Sequence, residues 1–266
     1  MSADTSPGIV DRVPLHLYKY KSFAGEAREH TRDLIVNQRL WFPAPRDLND
    51  PFECRPHHVT TATPRERRRY IVGLVKRVHP TMPRHERKRR VRLLDADNPL
   101  FHQSMLSATE ITLQAAGIFS LSARPLDLLM WPHYADNHRG VCVRFDLPAL
   151  VESDHIPFRV TYADERPSCD TILEPTVDWL HKAVLTKGAA WRYEQEWRLV
   201  RNRGARQAVQ LSKPVISGVL LGANVSPGDR EAVLQWAAES GRPVGVGQVK
   251  FHPSRYELVI EELEPR

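Results

Sequence analysis

Apolar and polar positions alternate at the start of the chain in Leu15-His16-Leu17-Tyr18-Lys19-Tyr20, the period of a half-buried strand. Glu26 to Arg39 follows with helical spacing, with Leu34 and Ile35 on the apolar side. Leu40-Trp41-Phe42 reads as a short strand stopped by Pro43 and Pro45, and Arg46 to Glu53 as a turn, because Asn-Asp-Pro favours tight backbone reversals. Pro64 sits at a favourable first helical position, and Ile71, Leu74, Val75 and Val78 supply an apolar face until Pro80 and Pro83 interrupt it. Further helices are predicted over Arg84–Leu94 and Pro99–Ala116.

Beyond Gly117 the pattern changes to short apolar runs. Strands are predicted at Gly117–Ser122, Gly140–Asp146, Phe158–Tyr162, Glu196–Val200, Ile216–Leu221, Val249–Phe251 and Tyr256–Glu261. Helices are expected at Leu126–Tyr134, Thr176–Leu185 and Ser226–Glu239. Strands cluster without long helices between them, and neither GxGxxG nor GxxxxGK[ST] is present. The expected class is α+β, a mixed, largely antiparallel β body with a helical insertion. Residues 1–13 read as a disordered lead and 14–266 as a single domain, with 60–116 a basic helical insertion or cap.

Composition adds three constraints. Cys54, Cys142 and Cys169 are odd in number and form no CxxC pair, which disfavours a disulfide framework and a cysteine-based zinc site; no metal is expected. No stretch approaches the roughly 20 apolar residues of a membrane span, and the polar beginning of the chain has no signal-like core, so a cytoplasmic location without a membrane partner is expected. The net charge is +6, but it is unevenly placed: Arg65 to Arg92 holds twelve Lys/Arg against two Glu. That segment suits contact with nucleic acid or another polyanion, with Arg67, Arg68, Arg69, Arg89 and Arg90 as candidate phosphate contacts.

Three polar-aromatic clusters are candidates for chemistry. Arg46, Asn49, Asp50 and Glu53, with Tyr18 and Tyr20 upstream, can orient a ribose or phosphate, although Asn49 and Asp50 also suit plain turn bonding before Pro51. Ser120, Ser122, Trp131, His133, Tyr134, Asp136 and His138 form the second; its histidines suit acid–base work or core packing. Lys187, Trp191, Tyr193, Glu194, Glu196, Trp197 and Arg198 form the third. Read as a strand, Glu194 and Glu196 share a face with Arg198, an arrangement that is costly if buried unpaired and cheap if solvated.

These stretches, in this order, resemble the bacterial family catalogued as domain of unknown function 2971. The matching segments are Leu17–Tyr20, LWFPAPRDLNDPFE (40–53), Phe119–Asp146 with MWPHYADNHRGVCVRFD, Lys187, WRYEQEWRLV (191–200) and the VLLGANVS turn. The family implies an occurrence in bacterial accessory and defence-like settings. The order of an aromatic-basic first strand, a Ser-bearing middle strand and a late Glu-x-Glu is also similar to the ADP-ribosyltransferase fold. That similarity implies NAD as cofactor, with Tyr18 or Lys19 on the nicotinamide side and Ser120 supporting the site; Tyr20, Arg46, Asn49, Asp50 and Trp131 are further cofactor-binding candidates from the clusters above. It implies Glu196 or Glu194 as the catalytic acid, and the clusters add His133 and Tyr134 as catalytic candidates. The chain departs from that fold's pattern in having no firm early Arg or His motif, His16 being a loose counterpart. Three readings therefore stand side by side: an ADP-ribosyltransferase-like enzyme acting on nucleic acid or protein; a nucleic-acid-binding or nucleolytic defence protein using Asp50, Glu53, His133 and His138; and a non-catalytic interaction protein.

Overall fold

The computed structural model describes residues 13–94 and 99–263. The expected lead therefore lies, except for Val13, outside the described residues. Along the chain run β1 (His16–Lys21), α1 (Ala27–Asn37), β2 (Arg39–Phe42), β3 (His57–His58), α2 (Pro64–Val78), α3 (Arg84–Leu93), α4 (Pro99–Gln114) and β4 (Gly117–Ser122). Then come α5 (Met130–Tyr134), β5 (Val141–Asp146), α6 (Leu147–Glu152), β6 (Phe158–Arg159), β7 (Thr161–Ala163), β8 (Ser168–Cys169), α7 (Thr176–Leu185) and β9 (Thr186–Gly188). The last elements are β10 (Glu196–Arg201), β11 (Gln207–Gln210), β12 (Ile216–Leu221), α8 (Pro227–Glu239), β13 (Gly245–Phe251) and β14 (Leu258–Glu262).

The chain divides into two compact units. One comprises the described residues up to Arg39, Leu121–Ile156 and those from Gln210 onward; the other comprises Leu40–Ser120 and Pro157–Val209. In the first, the strand order is β14-β13-β12-β5-β1. The β1–β5, β5–β12 and β13–β14 pairs are antiparallel and β12–β13 is parallel. The class is thus α+β with a mixed, largely antiparallel sheet, as the pattern predicts. The parallel pair is one β-α-β crossover through α8, capped by Ser226, whose hydroxyl accepts from Asp229 N at 3.1 Å. A Cβ on Gly247 would lie 3.1 Å from Leu220 Cδ2 and 3.2 Å from Ile260 Cγ2, so close packing explains a glycine that masks the start of β13, of which the pattern predicts only Val249–Phe251.

The second unit has its own core of Leu113, Ile118, Trp179, Leu180, Ala183 and Val184 with Cys54 and Cys169. A separate cluster of Ile71, Val75, Val91 and Phe101 joins α2, α3 and α4. α2 starts where expected because Thr63 and Glu66 form a reciprocal capping box behind Pro64.

Two expectations are corrected here. Phe158–Tyr162 is not one strand: at Val160, whose N–H donates to Glu196 O at 2.9 Å, the chain leaves its partner. β6 pairs antiparallel with β10, while β7 pairs in parallel with β9, setting Tyr162 opposite Lys187. The helix expected at Leu126–Tyr134 is confined to α5, because Asp127 Oδ1 accepts from the N–H groups of Leu129 (2.9 Å) and Met130 (3.2 Å) and holds the preceding residues in a turn.

Candidate functional site

The NDPFE turn and the WRYEQEWRLV stretch fold onto one another in the second unit. Asp50 Oδ1 accepts from Phe52 N at 2.9 Å, and Cys54 adopts a left-handed φ of 53°. This tight reversal buries Glu53. Residues Ala189–Glu194 form a 3-10 turn rather than a strand, and Gln195 (φ 43°) is left-handed before β10 begins at Glu196. Glu194 and Glu196 therefore converge through a turn and not through strand alternation.

The meeting point is the Lys187 ammonium on β9. Its Nζ lies 2.5 Å from Glu194 Oε2, 3.2 Å from Glu196 Oε2 and 3.8 Å from Glu53 Oε2. Arg198 closes the other side: its Nε and Nη2 donate to the two Glu196 oxygens, both at 2.8 Å. The same guanidinium pairs with Glu53 and donates to Val184 O. Ser120 also hydrogen-bonds Glu196, and the Tyr162 hydroxyl accepts from Glu196 N at 2.8 Å. Arg198 has no exposed surface, and the three glutamates and Lys187 are all buried.

Three carboxylates against two cations leave one formal negative charge in this centre. Desolvation costs several kcal/mol per ion, so such a cluster is a poor way to gain stability, and perturbed groups of this kind gather at functional sites. Burial pushes the Glu196 carboxyl up from 4.5, an effect that Lys187 opposes and Glu194 reinforces. Burial pulls Arg198 down to about 9, opposed by Asp50. Burial also raises the Tyr162 phenol to about 12.

A cavity of about 730 Å³ opens beside the cluster, with Asp50, Phe52, Arg55, His57, Lys187 and Trp191 in its wall. That is the size of a nucleotide-scale ligand site. The Trp191 ring centroid lies 4.8 Å from Lys187 Nζ, and Phe52 is exposed. Lys187 and Asp50 face this space; Glu194 and Glu196 stand behind Lys187. Among the described residues no group of three or more His, Cys, Asp or Glu is disposed to hold a metal ion. Lys187 and Arg198 fill the places a cation would take among the glutamates.

The other expected residues fall as follows. Arg46 and Asn49 are exposed on the turn, and Arg46 N donates to Gln114 Oε1 at 3.1 Å. Tyr18, Lys19, Tyr20, Trp131, His133 and Tyr134 belong to the first unit. Trp131 is fully buried, donates to Pro125 O at 2.9 Å, and packs edge-on against Tyr20, whose hydroxyl donates to Arg124 O at 2.6 Å. Both are core side chains with their polar atoms bonded to backbone, leaving Trp131 no surface for a cofactor. His138 stacks on Trp131 and burial holds its imidazole below the usual range, which suits a neutral packing role. His133 is exposed and Tyr18 and Lys19 are half-buried. The role of Lys187 is not legible in the sequence, since nothing along the chain shows that three carboxylates surround it.

The class defined by this architecture is an α+β protein with a buried ionic centre beside a ligand-sized cavity. Residues 130–199 match the family described as Protein of unknown function (DUF2971), which meets the family expectation over that stretch. Of the central cluster, the matched segment includes Lys187, Glu194, Glu196 and Arg198. No curated protein and no solved structure matches the chain.

Proposed function

We propose that the protein is an enzyme of the ADP-ribosyl-transfer type that takes NAD into the cavity beside Lys187. The observation that carries this reading is the convergence of Glu53, Glu194 and Glu196 on Lys187 at the wall of a nucleotide-sized cavity. Cleavage of the bond between ribose C1′ and the nicotinamide nitrogen builds positive charge on the sugar, and fixed carboxylates in a water-poor site stabilise it. Nicotinamide leaves as a neutral base with the bonding pair. An acceptor oxygen or nitrogen on nucleic acid or protein bonds to C1′ and yields its proton to a carboxylate.

Each residue then has a task. Lys187 meets the pyrophosphate, and drawing its ammonium toward the phosphate uncovers Glu194 and Glu196. Trp191 and Phe52 offer aromatic faces to the bases. Arg198 and Tyr162 hold Glu196 in place. The test is nicotinamide release from NAD by the purified protein, with and without DNA, RNA and lysate acceptors. Release that falls about 100-fold or more in folded Glu194→Gln or Glu196→Gln names the catalytic carboxylate. Absence of release by the folded wild type with every acceptor overturns the reading.

A further inference from the structure

The hairpin of α2 and α3 has no part in that chemistry, yet it holds the strongest charge asymmetry in the chain. Six of the fifteen residues of α2 and six of the ten of α3 are Lys or Arg. Arg65, Arg68, Arg69, Lys76 and Arg77 on α2 are exposed, as are Arg84, Lys88, Arg89, Arg90 and Arg92 on α3. The two acids are Glu66, committed to the Thr63 cap, and Glu86, whose ion-pair partner is His85 at 3.8 Å. Among the described residues no carboxylate forms an ion pair with Arg84, Lys88, Arg89, Arg90 or Arg92.

This charge sits on a rigid support. Val91 of α3 is buried against Ile71, Val75 and Phe101, with Tyr70, Leu74 and Met82 around them. The cations therefore project from a packed hairpin and not from a loose tail. Arg84–Lys88 and Lys88–Arg92 are like charges four residues apart, a spacing that opposes helix formation. The tertiary core keeps α3 helical despite that repulsion, and a partner that neutralises the cations would relieve it.

We infer that the α2–α3 hairpin is a binding surface for duplex DNA, engaging its phosphates through the exposed face of α3. Two observations select this partner. The only Phe, Trp or Tyr in α2 and α3 is Tyr70, which packs inward with its hydroxyl toward Met105 Sδ at 3.9 Å, so the surface has no platform for stacking the bases of a single strand. The presenting element is a helix, which the B-form major groove admits and the deep, narrow groove of an RNA duplex does not. The contacts are to backbone, so binding is independent of sequence.

Fluorescence anisotropy with a labelled DNA duplex, without NAD, tests this independently of the catalytic reading. Wild-type log Kd rises with log salt with a slope of at least about 4, the mark of five or more neutralised phosphates. Arg89→Glu with Arg90→Glu lowers the slope by about 2 and weakens binding about tenfold or more. Arg89→Lys with Arg90→Lys keeps both within about twofold, since Lys also neutralises phosphate. Circular dichroism confirms that each variant keeps its helices, and Arg68→Gln with Arg69→Gln on α2 provides a second variant should the first unfold. Failure of the wild type to bind at about 50 mM salt, binding unchanged in both variants, or equal affinity for an RNA duplex of the same length would overturn the inference.

Discussion

Lys187, Glu53, Glu194, Glu196 and Arg198 make an ionic centre in which neither cation can be lost cheaply, because removing Lys187 or Arg198 leaves buried carboxylates without their counter-charge. Its titration gives a signature opposite in sign to that of Asp170. Burial raises Glu196 in the folded state, so the stability it contributes is present below its unfolded value of 4.5 and is lost as pH rises through the folded value. Burial alone would raise Asp170 too, but hydrogen bonds from Thr61 N (2.8 Å), Thr61 Oγ1 (2.9 Å), Ile172 N (3.0 Å) and Leu173 N (3.2 Å) hold it below 3.8. Its contribution is present above 3.8 and is lost as pH falls through the folded value. Urea midpoints measured across roughly pH 3 to 8 resolve the two. Glu196→Gln flattens the decline on the alkaline side of 4.5, and Asp170→Asn flattens the acid limb. An unchanged profile in either variant contradicts its assignment.

At the scale of elements, the site depends on two left-handed residues and on the break between β6 and β7, where the chain changes partners. Cys54 (φ 53°) turns Glu53 inward, and Gln195 (φ 43°) joins the 3-10 turn to β10 so that both neighbouring glutamates reach Lys187. A residue with a Cβ is strained in that region by about 1–2 kcal/mol, whereas glycine is not. Gln195 itself carries that cost, so Gln195→Gly is expected to keep or raise unfolding free energy, by up to about 1 kcal/mol, and Gln195→Val, whose branched Cβ fits this region worst, to lower it. Chemical denaturation of the two variants in parallel checks the order; a valine variant as stable as the glycine variant would contradict it. The switch of strand at Val160, from β10 to β9, sets the Tyr162 hydroxyl against Glu196 N.

At the scale of the whole molecule, each unit encloses a core, and the three cysteines serve as reporters of both. Cys142 is fully buried in the first unit, while Cys54 and Cys169 are buried in the second. Burial pushes the Cys54 thiol up to about 12, and it raises Cys142 and Cys169 as well. An aromatic disulfide reagent at mildly alkaline pH is expected to leave all three thiols unmodified in the native protein and to label all three in denaturant. Rapid native labelling of Cys54, which borders the cavity, would show that this wall opens. Among the described residues no helix is long and apolar enough to cross a membrane.

Much of the secondary structure was legible because its causes are local. Thr63-Pro64 with Glu66, Ser226-Pro227 and the apolar run Gly117–Ser122 each carry their own start, stop or period, and those elements form where the pattern puts them. The pattern also grouped four of the five members of the ionic centre, two glutamates, a lysine and an arginine among tryptophans, but set Glu53 in a separate cluster. Left undetermined were β3, β8, β9 and β11, strands of four residues or fewer whose pairing is set by distant segments. The centre itself belongs to the same category. Glu53 lies well over a hundred residues from Lys187 and Arg198 along the chain, and only folding brings their charges together. Local sequence determined which residues are helical, extended or charged, because capping, periodicity and proline act within a few positions. Tertiary structure decided which of those charges face one another out of water, because desolvation and Coulomb attraction depend on distance in space and not on distance along the chain.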